Sequence, residues 1–169
     1  MTYKIYLDMD GVLADFDGAA REFCGLAQLR PGYRKTKEED ALMWTKLKEV
    51  PHFYDRLEPM DGALEMYRNI TECFPGNVEI LTGIPKPKRG LTTAGEDKIN
   101  WAHRYLSSDL KVNIVYREQK TDFCTGPESI LIDDFEDNIE LWRSAGGTGI
   151  LHVSPEKTLE ELFSLTGVN

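Results

Sequence analysis

Cysteine is scarce in this chain of 169 residues: Cys24, Cys73 and Cys124 are the only three. They are widely spaced, form no C-x-x-C pair and have no matching histidine cluster. Their number and spacing argue against a disulfide framework and against a zinc site. Long apolar runs are missing too, since none approaches the roughly 18 residues that a membrane helix needs. The first strand-like run begins at about Tyr3, leaving no space for the charged and apolar regions of a signal peptide. A cytoplasmic protein with no membrane partner is expected. Positive charge is short as well, with 20 Lys and Arg against 29 Asp and Glu and a net charge of -9. Duplex nucleic acid is a poor partner for such a chain, because that affinity comes largely from Lys and Arg neutralising phosphates. A small anionic ligand remains allowed wherever positive charge is concentrated locally. Internal repeats and low-complexity segments are absent. The length suits one domain with room for an insertion and a sizeable core.

What is present starts at Lys4-Ile5-Tyr6-Leu7-Asp8-Met9-Asp10-Gly11. A short apolar, β-prone run ends in two carboxylates one residue apart, and residues i and i+2 of a strand share a face. Asp8 and Asp10 converge if the strand frays into a loop at Gly11, which turns without steric cost. Two such close carboxylates resist joint ionisation unless a cation lies between them or one keeps its proton. An EF-hand loop does not fit, because its glycine is sixth and a helix precedes it. Here Gly11 is fourth, counting from Asp8, and a strand precedes. A plain strand-end turn is the remaining alternative for this stretch taken alone.

Farther on, Asp17 to Leu26 reads as a short helix, broken at Pro31-Gly32-Tyr33. Glu38 to Val50 is a second helical pattern, stopped by Pro51. The aromatic-rich linker His52 to Pro59 leads into a helix from about Asp61 to Phe74. Alternation then becomes regular: strand Val78 to Thr82, helix Gly95 to Leu106, strand Val112 to Tyr116, strand Ser129 to Asp133, helix Glu136 to Ala145, strand Gly149 to His152, helix Lys157 to Leu165. This pattern implies an α/β fold, a Rossmann-like parallel sheet with helices on both faces. Residues 1–15 and 60–169 make the core on this reading, and 16–59 a small helical cap inserted after the first strand. Ligands of such sheets bind at the carboxyl ends of the strands. Those ends carry Asp8, Thr82-Gly83 and Asp133-Asp134, with Lys120 a few residues past the third strand. Two acidic pairs, a hydroxyl and a lysine suit a divalent cation and a phosphoryl group, and hard oxygen ligands favour Mg²⁺.

At these positions the chain resembles the haloacid dehalogenase superfamily, and within it the 5′(3′)-deoxyribonucleotidase group. Asp8-Met9-Asp10-Gly11-Val12-Leu13-Ala14-Asp15-Phe16 is similar to that group's first motif, Thr82 to its second, Lys120-Thr121 to its third and Leu131-Ile132-Asp133-Asp134 to its fourth. Phe53 to Leu64 resembles the segment that returns from cap to core. Gly83 stands where the nucleotidases usually have serine, and Phe135 where they often have a basic residue.

The resemblance implies a Mg²⁺-dependent phosphohydrolase acting on a small phosphomonoester, a nucleoside monophosphate. Asp8 is then the nucleophile and Asp10 the acid and base, a pairing that favours phosphate-ester hydrolysis over halide displacement. Metal ligands are Asp8, the backbone carbonyl of Asp10 and Asp134, with Asp133 a ligand or an acceptor beside them. Thr82, Gly83 and Lys120 bind the phosphoryl group. Phe16 and Trp44 are the candidate base wall, whereas Phe23, Phe53 and Tyr54 read as structural. Lys98 reads as a solvated helix charge, with phosphate neutralisation the lesser alternative. Asp137 and Asn138 either orient Asp134 or cap the following helix. The basic run Lys86-Pro87-Lys88-Arg89 reads as solvated loop, or as a device that steers anions inward. Gly146-Gly147-Thr148-Gly149 reads as a helix stop. A sugar-phosphate phosphatase and a catalytically idle phosphate-binding module are the rival functions.

Overall fold

The computed structural model describes residues 2–26 and 34–168, so the expected break at Pro31-Gly32-Tyr33 lies outside the described residues. Five strands, β1 (Lys4–Leu7), β2 (Val78–Gly83), β3 (Val112–Val115), β4 (Ser129–Asp133) and β5 (Thr148–Leu151), pair in parallel in the order β3-β2-β1-β4-β5. Ile5 lies opposite both Val78 and Ile130. The helices are α1 (Phe16–Cys24), α2 (Lys37–Leu47), α3 (Ala63–Cys73), α4 (Ala94–Tyr105), α5 (Glu136–Ser144) and α6 (Pro155–Thr166). Short 3₁₀ turns cover Phe53–Arg56, Pro87–Arg89 and Arg117–Phe123. The last of these, with no α-helix, joins β3 to β4 and presents Lys120.

Both faces of the sheet are covered, as the near-continuous apolar strands require. On β1 the two-residue period divides the side chains: Ile5 and Leu7 enter the larger core with Met66, Trp101 and Leu162, while Tyr6 enters a smaller one with Leu81, Ile139 and Trp142. Each buried indole finds a polar partner: Trp101 Nε1 donates to the carbonyl of Leu57 at 2.7 Å, and Trp142 Nε1 to that of Ser129 at 3.0 Å. The first bond ties α4 to the segment that leads into α3. Helix α1 begins at Asp15, whose Oδ1 accepts from the Gly18 amide at 2.9 Å, and α2 opens on a Thr36/Glu39 capping box. Both devices satisfy amides that a helix leaves unpaired at its start. Gly146, at φ 93, follows α5 as its stop, and Thr148 and Gly149 already belong to β5. No helix among the described residues is long and apolar enough to cross a membrane.

Candidate active site

In this strand order β1 and β4 are neighbours although the chain passes through β2 and β3 between them, and the crevice at such a switch point is where α/β sheets hold ligands. The Asp8 amide still donates to the Ile132 carbonyl at 3.0 Å, so the pairing carries Asp8 to the end of the sheet beside Asp133. Beyond it the Met9 carbonyl accepts from the amides of Val12, Leu13 and Ala14 at 3.1, 2.8 and 2.9 Å. Gly11, at φ 78, makes that tight return possible. It also leaves room for Asp134, because a Cβ built on Gly11 would stand 2.5 Å from Asp134 Cγ.

Lys120 binds both acidic motifs at once. Its Nζ lies 3.0 Å from Asp8 Oδ1 and 2.6 Å from Asp133 Oδ2, and it is buried. Burial alone would lower its pKa, but the charges of Asp8 and Asp133 outweigh that and raise it. Asp133 is fully enclosed. Its Oδ2 accepts from Lys120 and, at 2.9 Å, from Asn138 Nδ2, while its Oδ1 accepts from the Phe135 amide at 2.9 Å. Asn138 thus orients Asp133 and not Asp134, and α5 begins without a side-chain cap. Asp137 points away, to Arg34 at 3.2 Å and Arg117 at 3.4 Å. Neither expected role of these two residues is seen.

Asp8, Asp133 and Asp134 present carboxylate oxygens within 4.8 Å of one another. Asp134 is open to the cavity on one side, yet its carboxyl is pushed up to about 8 by desolvation among packed neighbours and by Asp8, Asp133 and Asp10. Desolvation also raises Asp10, with Lys98 opposing and Asp8 adding. Such crowding of hard oxygen donors fits a divalent cation, which would relieve the repulsion.

The site depends on a residue that the helical pattern alone left in solvent. Lys98 is fully buried. Its Nζ reaches Asp10 Oδ2, Thr82 Oγ1 and the Gly83 carbonyl, each at 2.8 Å, and faces the Tyr54 ring at 4.6 Å. A signal for this existed: Ala94, Asp97, Lys98, Trp101 and Ala102 form the buried stripe of α4 at helical spacing, so Lys98 is a cation on the apolar face. Thr82 is wholly buried beneath the site with its hydroxyl bound by Lys98, so it is Gly83 that reaches the cavity wall.

A cavity of about 440 Å³ opens above these groups. Its floor holds Asp8, Asp10, Gly83, Lys120 and Asp134; one wall is Phe16, Met43, Trp44 and Tyr54; Lys35, Arg117 and Phe135 stand at the rim. Phe16 meets Trp44, Phe53 and Tyr54 with ring centroids 6.2, 5.5 and 6.0 Å away. Both expected base-wall residues therefore line the cavity, and Tyr54, expected to be structural, lines it as well. Phe53 is buried and Phe23 half exposed, away from it. Two cations of the basic run are already paired: Lys86 with Glu118, and Arg89 with Asp40 at 2.7 Å and over the Trp44 ring at 5.5 Å. That run ties α2 to the loop after β2.

The fold is that of the haloacid dehalogenase-type hydrolases. A superfamily hydrolase from Ehrlichia chaffeensis superposes with a TM-score of 0.57 at 13% identity over 98% of each chain. A putative hydrolase of the same kind from Bacillus subtilis superposes with a TM-score of 0.52 at 15% identity over the whole of both. Within this class the chain belongs to the family described as 5′ nucleotidase, deoxy (pyrimidine), cytosolic type C protein, whose model matches residues 2–161. It is 28% identical to the human mitochondrial 5′(3′)-deoxyribonucleotidase over 156 residues, 79% of this chain but only 63% of that protein. With the human cytosolic type it shares 29% identity over 146 residues, 78% of this chain and 70% of that one. The chain thus spans under two thirds of the mitochondrial relative.

Proposed function

We propose that the protein is a Mg²⁺-dependent phosphohydrolase that removes phosphate from nucleoside monophosphates, through an aspartyl-phosphate on Asp8. The observation that carries this reading is the buried Lys120 bridging Asp8 and Asp133, beside Asp10 and Asp134, on the floor of an aromatic-walled cavity. Family membership and the deoxyribonucleotidases among its relatives support the nucleotide substrate. Residues 16–59 act as the cap that supplies the base wall.

Asp8 attacks phosphorus in line, and its oxygen–phosphorus bond forms as the ester bond breaks. Asp10 gives its proton to the departing sugar oxygen, leaving the free nucleoside, the aspartyl-phosphate and an Asp10 carboxylate. Water then attacks phosphorus and returns a proton to Asp10, releasing inorganic phosphate and Asp8. Lys120 holds the Asp8 carboxylate in place and offsets phosphoryl charge. Asp133, with both oxygens taken, fixes Lys120. Asp8, Asp134 and the Asp10 carbonyl would hold Mg²⁺, whose contribution when bound is Lewis-acid polarisation of the phosphoryl oxygens; the Bacillus subtilis neighbour was solved with magnesium. Phe16 and Trp44 give the base a stacking wall.

The test is turnover of a panel of nucleoside and sugar monophosphates with Mg²⁺ and with EDTA, for the wild type and Asp8→Asn. Nucleotides are expected to be preferred, and both EDTA and Asp8→Asn to abolish release of phosphate with the fold intact. Substantial activity in Asp8→Asn removes the nucleophile assignment; a preference for sugar phosphates removes the substrate.

A further inference from the structure

The aromatic wall of the cavity carries two polar hydrogens, one on Trp44 Nε1 and one on the Tyr54 hydroxyl. Trp44 Nε1 already donates to Asp40 Oδ1 at 3.0 Å. Among the described residues the Tyr54 hydroxyl has no hydrogen-bond partner, yet it is not sealed off: it keeps surface open to the cavity that Tyr54 lines. The ring behind it has no room to swing. Tyr54 is 2% exposed, with Lys98 Nζ 4.6 Å from its centroid and the rings of Phe53 and Phe16 at 5.3 and 6.0 Å. Burial, and after it the charges of Asp10 and Asp8, hold its pKa well above the ordinary tyrosine value, so the O–H remains a donor at neutral pH. A fixed, uncommitted hydroxyl thus stands on a wall that is otherwise apolar or paired.

With phosphorus at Asp8 and the base against Phe16 and Trp44, Tyr54 stands between the two. The charges of both floor acids reach its hydroxyl, and its ring adjoins Phe16. The part of a nucleotide that spans this interval is the sugar. A bound sugar displaces water from the hydroxyl, and a sugar edge without a polar group leaves it buried and unpaired, which weakens binding. A nucleoside 5′-phosphate offers O3′, on the side of the phosphate arm, and O2′, on the carbon next to the base. Tyr54 belongs to the wall of the base, so the sugar edge against it starts at the carbon that bears the base. Resting on the phosphohydrolase reading above, we infer that Tyr54 is a specificity-determining residue whose hydroxyl pairs with the ribose 2′-hydroxyl, so that ribonucleoside 5′-monophosphates are preferred to their 2′-deoxy counterparts. A site that hydrogen-bonds a substrate hydroxyl discriminates against the analogue lacking it, whereas an apolar wall discriminates weakly.

The quantity to measure is the ratio of kcat/KM for uridine 5′-monophosphate to that for 2′-deoxyuridine 5′-monophosphate, with Mg²⁺ present, in wild type and in Tyr54→Phe. The variant keeps the ring and removes only the hydroxyl. The concentration of folded enzyme cancels in the ratio, so a variant that folds poorly is still informative. Wild type is expected to favour the ribonucleotide, and in Tyr54→Phe the ratio should fall by roughly 5- to 150-fold, the equivalent of one buried hydroxyl left unpaired. The same ratio taken against 3′-deoxyuridine 5′-monophosphate should be unmoved by the substitution. A tyrosine that only packs the wall would leave both ratios unchanged. A wild type that favours the deoxyribonucleotide, or a fall in the first ratio smaller than about fivefold, overturns the inference. So does a fall confined to the second ratio, which would give the hydroxyl to O3′. A wild type that releases phosphate from none of the three substrates removes the phosphohydrolase reading itself, and the two failures are distinct.

Discussion

Adding one methyl group at Gly11 tests whether the first and fourth motifs share a site. Gly11 has φ 78, and a Cβ there would lie 2.5 Å from Asp134 Cγ and 3.1 Å from Asp134 Oδ1. Carbon atoms settle at about 3.5 Å or more, so the Asp134 carboxyl must retreat by about 1 Å. The left-handed backbone costs an alanine roughly 1–2 kcal/mol, or about 2–8 °C in Tm for a domain of this size. Gly76 supplies the control, because it shares the conformation (φ 74) and has nothing within 4 Å of an added Cβ. Gly11→Ala and Gly76→Ala should therefore lose similar stability in thermal unfolding followed by circular dichroism. Their activities should diverge. A carboxylate displaced by that distance predicts a fall in kcat/KM on the order of 10²-fold and a higher Mg²⁺ concentration for half-maximal rate, whereas Gly76→Ala keeps wild-type kinetics. Wild-type turnover and Mg²⁺ dependence in Gly11→Ala would refute the placement of Asp134 among the metal ligands.

Removing the ammonium in Lys120→Met leaves Asp8 and Asp133 without their buried partner, a break typically worth about 3–5 kcal/mol. Urea unfolding should show a loss that shrinks toward acidic pH, where a protonated Asp133 needs no counter-ion; an unchanged midpoint would show that the bridge contributes nothing. Trp44→Ala should raise KM for nucleoside monophosphates by roughly 5- to 100-fold, the equivalent of one stacked base. KM for a small alkyl phosphate should be unaffected, and equal effects would move the base elsewhere. His52 has its pKa raised by its hydrogen bond to Asp97 and by that residue's charge, so its stabilising contribution is complete below its unfolded value of about 6.5 and fades as pH rises through the folded one. The Tm difference between wild type and His52→Asn should accordingly be larger at about pH 5.5 than at about pH 8.5, and a difference that grows with pH contradicts the pairing. Arg89→Ala loosens the tie between α2 and the loop after β2, and KM should rise by less than about fivefold with kcat kept, in line with a part-exposed ion pair.

Much of this protein was legible in the linear chain because the information was local. Alternating strands and helices imply a doubly covered parallel sheet without reference to any distant contact. The acids at Asp8, Asp10, Asp133 and Asp134 are recognisable because each follows directly on an apolar strand, and Lys120 because it lies shortly after one. Phe16 could be proposed for the wall because it follows the first motif directly, and Trp44 because it is the tryptophan of the region that resembles the family's cap. What the order of residues could not decide was which face of each helix meets the site. Periodicity marks the stripe on α4, yet only the packing of that stripe against Tyr54 and the end of β2 turns Lys98 from a surface charge into the partner of Asp10. The same holds for Asn138, which binds Asp133 because α5 lies across β4, and for Thr82, which β2 places under the floor and not on the wall. Strand ends announce their chemistry in sequence because a strand has one carboxyl edge. The bearing of a helix side chain is fixed only when every neighbouring element has taken its place.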